Sequence, residues 1–247
     1  MTAVAEDAKK DRPIVWAMVT PLEFGPCFPS GHYLEDDEQA EAYFRANATA
    51  EELAEVDALG EGGYRHRVVV HTRYVVSRKF SRDEGPVDPA MQPRVFQMER
   101  GSTNLGSWLE VTNRLLMVDE ALRTIIERFE PGVHQFWPME VRGPDGTPLD
   151  RQFHALVIRQ SRDSLIDEQS DLQRLDQDMD ERQPRFAKDT DAAGLRRVTL
   201  RGAAVEGVHL WRERRLRKPN ILVSDALRTA IRDAKLRVFR HGRLNVV

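Results

Sequence analysis

A single cysteine among 247 residues, Cys27, rules out an internal disulfide and a thiolate metal cluster. No stretch approaches the roughly 18 consecutive apolar residues that a membrane-spanning helix needs. The opening MTAVAEDAKKDRP lacks the apolar segment of a signal peptide. A cytoplasmic protein with no membrane anchor is therefore expected. Catalytic signatures are equally scarce. There is no GxSxG elbow and no HExxH zinc helix. GSTNLGSW, from Gly101, spaces two glycines as a phosphate loop does, but Ser107 and Trp108 stand where a Lys and a Ser or Thr must hold phosphate and magnesium. DQDMDE, from Asp176, begins like a calcium loop. Glu181 then replaces its turn glycine and Ala187 its bidentate acid. His66 and His71 lie five apart in an expected strand, which puts them on opposite faces and spoils a shared metal site. His134, His154 and His209 sit in apolar segments and read as core histidines, and Cys27 in FGPCFP reads as a small packed residue. No catalytic residue, metal or cofactor is expected.

What the chain has is charge, unevenly spread. Its net charge of −3 conceals ten acidic residues from Glu35 to Glu61 against Arg45 alone, and ten from Asp163 to Asp191 against four basic ones. From Arg196 to Arg243 the sign reverses, with fourteen Lys and Arg against four acids. Such polarity steers charged partners. The basic stretch, with WRERRLRK from Trp211, raises the possibility of nucleic-acid binding, but no helix-turn-helix or RNA-binding signature accompanies it. A solvated face, or pairing with the protein's own acidic segments, is the favoured reading.

Along the chain, IVWAM (14–18) has the β-branched and aromatic density of a strand, and PLEFGPCFPSG reads as loop. Residues 38–59 fit two short helices broken near Asn47, the second starting at Thr49 ahead of Glu51 and Glu52. The Val-rich 64–80 segment predicts a long strand or hairpin. The turn-rich SRDEGPVDPAMQP then separates an N-terminal lobe, 1–95, from the remainder, 96–247, the two packed as one globular unit.

That remainder says nearly the same thing twice. LMVDEALRTII (116–126) and ILVSDALRTAI (221–231) align at an offset of 105 residues. In each, a short apolar run leads to a capping oxygen, Asp119 or Ser224, then to an acid that complements the helix dipole, Glu120 or Asp225. Leu122, Ile125, Ile126 and Phe129 make one apolar stripe, repeated by Leu227, Ala230, Ile231 and Ala234. Both copies re-enter an apolar run, VHQFW or LRVF. The unit is strand, capped helix, strand, with Arg123 and Arg228 as solvated helix-face residues. Between the copies, 152–160 reads as a buried strand, followed by a long acidic connector and strands near 197–200 and 208–211. The expected class is α+β, with a mixed or antiparallel sheet and a duplicated strand–helix–strand unit.

This order of segments resembles immunity-protein family 11 of bacterial polymorphic toxin systems, formerly a domain of unknown function. VHQFWPMEV matches its EFFPV-like strand, LVIRQSRDSLIDEQS its aliphatic strand leading to an Asp- and Ser-containing segment, and HLWRE at His209 its HLFR-like strand. The resemblance spans 115–239 and departs in having no glycine after the second helix. It implies a stoichiometric inhibitor, not an enzyme, that binds a cognate antibacterial toxin domain. A DNA- or RNA-binding regulator and an enzyme of unrecognised type are the alternatives. An acidic segment suits a toxin with a basic cleft, so Asp176, Asp178, Asp180 and Glu181 are the first candidates for the toxin-binding surface. Glu35, Asp36, Asp37 and Glu38 are the second. An aromatic or Arg anchor should lie in the same interface.

Overall fold

A computed structural model describes residues 12–34, 36–60, 70, 80, 85–101, 104–174 and 185–247. Among the described residues the protein is α+β and mostly sheet, with five α-helices and sixteen strands. The chain divides into two compact units, each assembled from separate segments: Met1–Thr20 with Gln160–Lys235 and Phe239–Val247, and Pro21–Arg159 with Leu236–Val238. Both units therefore draw on residues from either side of position 95.

In the Pro21–Arg159 unit, β2 (Gly31–Tyr33), β3 (Val95–Met98), β4 (Trp108–Glu110), β5 (Leu116–Asp119), β6 (Gln135–Arg142) and β7 (Phe153–Val157) form one sheet in the order β2-β3-β6-β7-β5-β4. Alternate strand residues, among them Met117, Trp137, Met139, Phe153, Ala155 and Val157, point into a core that also takes Phe44, Val56, Phe80 and Phe96. The helices α1 (Asp36–Asn47) and α2 (Ala50–Asp57) break where expected. Thr49 and Glu52 form a reciprocal capping box that satisfies two otherwise orphaned backbone donors at the start of α2. Of the expected strand over 64–80, only Val70 and Phe80 are described. Both are helical and buried, which corrects the strand reading there. A Val-rich run has the composition of a strand, yet burial of its apolar side chains can equally be met by a helix. The other residues of that segment, His66 and His71 among them, lie outside the described residues.

The other unit carries the sheet β15-β1-β14-β12-β8, built from β1 (Val15–Val19), β8 (Ser161–Arg162), β12 (Leu210–Glu213), β14 (Ile221–Ser224) and β15 (Arg240–Arg243). Val15, Ala17, Trp211, Leu222 and Leu244 belong to its core. The acidic connector is more structured than its polarity suggests. β9 (Leu172–Arg174) and β10 (Arg185–Ala187) join β13 (Leu216–Lys218) in a small sheet, and β11 (Thr199–Leu200) pairs with β16 (Asn245–Val246). A short α4 (Ala192–Leu195) is capped by Asp191.

The two sequence copies fall one in each unit. The first is β5, α3 (Glu120–Phe129) and β6; the second is β14, α5 (Asp225–Asp233) and β15. In the first sheet β4, β5, β7 and β6 are adjacent and all antiparallel; in the second so are β12, β14, β1 and β15. The N-terminal strand β1 thus occupies the place that β7 has in the other unit. Backbone bonds repeat as well: Asp119 N–H donates to the Ser107 carbonyl and Ser224 N–H to the His209 carbonyl, each at 3.0 Å. The strand after the second helix begins at Arg240, not within Leu236–Phe239, so the LRVF reading is displaced. The second helix ends with Lys235 in the left-handed region (φ 55°), the conformation a glycine would have supplied.

Candidate interaction surface

Each helix start builds a similar small constellation from the capping segment and a ring supplied by a distant strand. Asp119 and Ser224 cap α3 and α5 by accepting from Leu122 N–H (2.9 Å) and Leu227 N–H (3.2 Å). His154 on β7 lies opposite Val118, the residue before the first cap, and Trp16 on β1 lies opposite Val223, the residue before the second. Both rings face the first acid of the following helix. His154 Nδ1 is 3.5 Å from Glu120 Oε2, while Trp16 Nε1 donates to Asp225 Oδ1 at 2.8 Å. The repeated arginine completes each group. Arg123 pairs with Glu120 at 2.8 Å, and Arg228 lies over the Trp16 ring, 4.1 Å from its centroid.

The arginines are therefore not equivalent in what holds them. Arg123 makes an i,i+3 ion pair on a partly open helix face, as the solvated reading expects. Arg228 corrects that reading: besides stacking on Trp16, its Nε–H donates to His241 Nε2 at 3.1 Å. With Nε2 accepting, the imidazole proton sits on Nδ1, 3.3 Å from the Phe239 carbonyl it can reach. Burial holds His241 below the ordinary histidine pKa, with the Arg228 cation lowering it further. His154 is lowered likewise, first by burial and then by Arg123. Trp16 and His241 were not singled out from the sequence. The repeat marks Arg228, but a strand some 200 residues earlier in the chain supplies the ring, and no local pattern announces that pairing.

Two further motif segments meet in the unit that contains Gln160–Lys235. Ser164, from the SRDSLIDEQS segment, donates through N–H (2.8 Å) and Oγ–H (2.5 Å) to Glu213 Oε2, at the end of HLWRE. Glu213 also accepts from Arg215 N–H, and burial raises its pKa despite these donors. His134 is a core histidine as expected, its Nε2 2.6 Å from the buried Glu130 carboxylate. His209 bonds the capping Ser224 through Nδ1. Cys27 is only half-buried, and that burial raises its thiol pKa. Among the described residues no group of three or more His, Cys, Asp or Glu is placed to hold a metal ion.

Part of the basic stretch is engaged within the protein. Arg215 pairs with Asp163 (2.9 Å) and Asp167 (3.0 Å), and Arg197 with Asp171 (3.2 Å) and Asp189 (2.7 Å). Arg212 is buried, and Arg217 lies over Phe186. Of the acidic candidates, Asp36, Asp37 and Glu38 form the first turn of α1. Glu35, Asp176, Asp178, Asp180 and Glu181 lie outside the described residues. No described helix is long and apolar enough to cross a membrane.

Comparison with curated proteins finds no match. The family model described as Immunity protein family (Imm11) matches residues 49–244, so the likeness reaches well N-terminal of the repeat, to the capping box of α2, and includes both helix-start constellations apart from Trp16. With most of its length matched, the chain belongs to the Imm11 immunity protein family.

Proposed function

We propose that this protein binds a cognate antibacterial toxin domain in the cytoplasm of the producing cell and blocks it stoichiometrically, without catalysis, as part of a polymorphic toxin system used in competition between bacteria. Family membership across 49–244 is the observation that carries this reading. The charge pattern supports an acidic contact surface. Within 163–191, Asp163, Asp167, Asp171 and Asp189 are engaged by arginines of the same protein, and Asp191 caps α4. The reading places the toxin contact on the remaining acids named from the sequence, Asp176, Asp178, Asp180 and Glu181, with Glu35, Asp36, Asp37 and Glu38 as a second acidic site, because acidic charge complements a basic cleft. Long-range attraction of this kind mainly accelerates encounter with a basic partner. The same ion pairs take Arg197 and Arg215 out of any nucleic-acid contact, since arginines held by aspartates are not available to replace counterions on phosphates.

The test is growth of a host expressing the toxin domain encoded beside this protein's gene, with and without this protein, together with co-purification of the two. Rescue accompanied by a one-to-one complex is the expected result. A demonstrably active toxin that is neither bound nor neutralised would end the proposal for that pair.

A further inference from the structure

Leu22 and Phe24 are 81% and 60% exposed, the most exposed of the large apolar side chains among the described residues. They belong to the loop before β2, which is far from slack. Gly25 and Phe28 exchange two backbone hydrogen bonds, 2.9 and 3.0 Å, and the Phe24 ring lies 5.0 Å from that of Phe28. The Pro26 carbonyl accepts from Gly106 N–H (2.7 Å), the Cys27 carbonyl from Glu110 N–H (2.9 Å), and the Ser30 carbonyl from Glu99 N–H (2.9 Å). A Cβ at Gly106 would come within 2.6 Å of Cys27 Sγ, so the loop is seated where only a glycine lets it approach. The second glycine of GSTNLGSW thus serves packing.

Two large apolar side chains presented to water gain little for folding, but the bonded segment 25–30 that directly follows them, with the Phe24 ring against Phe28, limits their freedom and lowers the entropy lost when a partner covers them. We infer that Leu22, Glu23 and Phe24 form a preorganised anchor that enters an apolar recess on the toxin domain, with a Lys or Arg at the recess edge meeting Glu23. This rests on the toxin-binding reading above. Glu23 is what selects this occupant. A second copy of this chain docking tip to tip would bring two Glu23 carboxylates together, and an anionic membrane surface would repel one. A cationic rim on the toxin pairs with it, and an aromatic residue at the centre of such a contact is the common form of an interface hot spot.

Calorimetric titration of the toxin domain encoded beside this gene, with the wild-type protein, the Leu22→Ala/Phe24→Ala double variant and Glu23→Lys, tests this. Thermal melts of each variant should match the wild type, because the altered side chains are exposed. The anchor predicts at least about 30-fold weaker binding by the double variant and slower, less salt-sensitive association for Glu23→Lys. Double-variant binding within about twofold of wild type would overturn the anchor while leaving toxin binding intact. A wild-type protein that fails to bind an active toxin would remove the toxin-binding reading and the anchor with it. A wild-type dimer in sedimentation that the double variant abolishes would assign the loop to a second copy and overturn the proposal.

Discussion

Arg228 shows how one side chain acquires several partners from distant sequence. Its guanidinium lies over Trp16, donates to His241, and shares a helix start with Asp225, to which Trp16 also donates. Arg228→Ala should cost about 1–2 kcal/mol in urea unfolding, from the lost cation–π contact and hydrogen bond. Arg228→Lys should recover only part of that, because a lysine cannot stack a planar group on the indole. The histidines make a second, pH-dependent prediction. His154 and His241 both have folded-state pKa values held below the ordinary 6.5. Their contribution to stability is fully present above that value and is lost as pH falls through the folded pKa, since the unfolded chain takes up protons first. Urea midpoints should therefore decline below about pH 6.5, and His241→Gln should flatten part of the decline. Glu213 acts with the opposite sign. Its raised pKa gives a contribution complete below the ordinary glutamate value of 4.5 and lost as pH rises through the folded pKa.

At the scale of elements, the two helix starts invite a direct comparison. Ser224→Ala removes one cap and should cost about 1 kcal/mol. Asp119→Ala should cost more, about 2 kcal/mol or above, because Asp119 is buried and also receives Arg151, which bridges it to Ser107 Oγ and the Leu105 carbonyl. Thermal melts of the pair check the order; equal losses would show that Arg151 adds nothing. The helix ends differ too. Gly132 follows the first helix at φ 68°, whereas a lysine holds the corresponding left-handed turn after the second. Lys235→Gly should stabilise the protein by about 0.5–1 kcal/mol by relieving that conformation. A fall in melting temperature would mean that Lys235 contributes through its side chain instead.

At the scale of the molecule, the repeated word becomes a repeated arrangement: four adjacent antiparallel strands with a capped helix packed on the two central ones, once in each unit. In the second unit one of the four strands, β1, comes from the N-terminal segment. The division of charge also belongs to this scale. Reversing Asp176, Asp178, Asp180 and Glu181 to lysine should slow association with a basic toxin domain by about tenfold or more at low salt and by less at high salt. Stopped-flow association rates at two ionic strengths check it, and rates insensitive to both the reversal and the salt would remove the acidic surface.

Local patterns sufficed for features governed by near neighbours in the chain. The capped helices at 119 and 224, the break at Asn47 and the buried strand at 153–157 follow from cap chemistry and hydrophobic period, which act over a few residues. Segment order was enough to reach the family. Tertiary structure decided what depends on partners far along the chain: that Arg228 stacks on Trp16, that Arg197 and Arg215 are met by aspartates of 163–189, that Val70 and Phe80 are helical, and that Leu22 and Phe24 remain in water beside a bonded loop. None of these is encoded in a spacing, because strand pairing and ion pairing join residues only after the chain has folded back on itself.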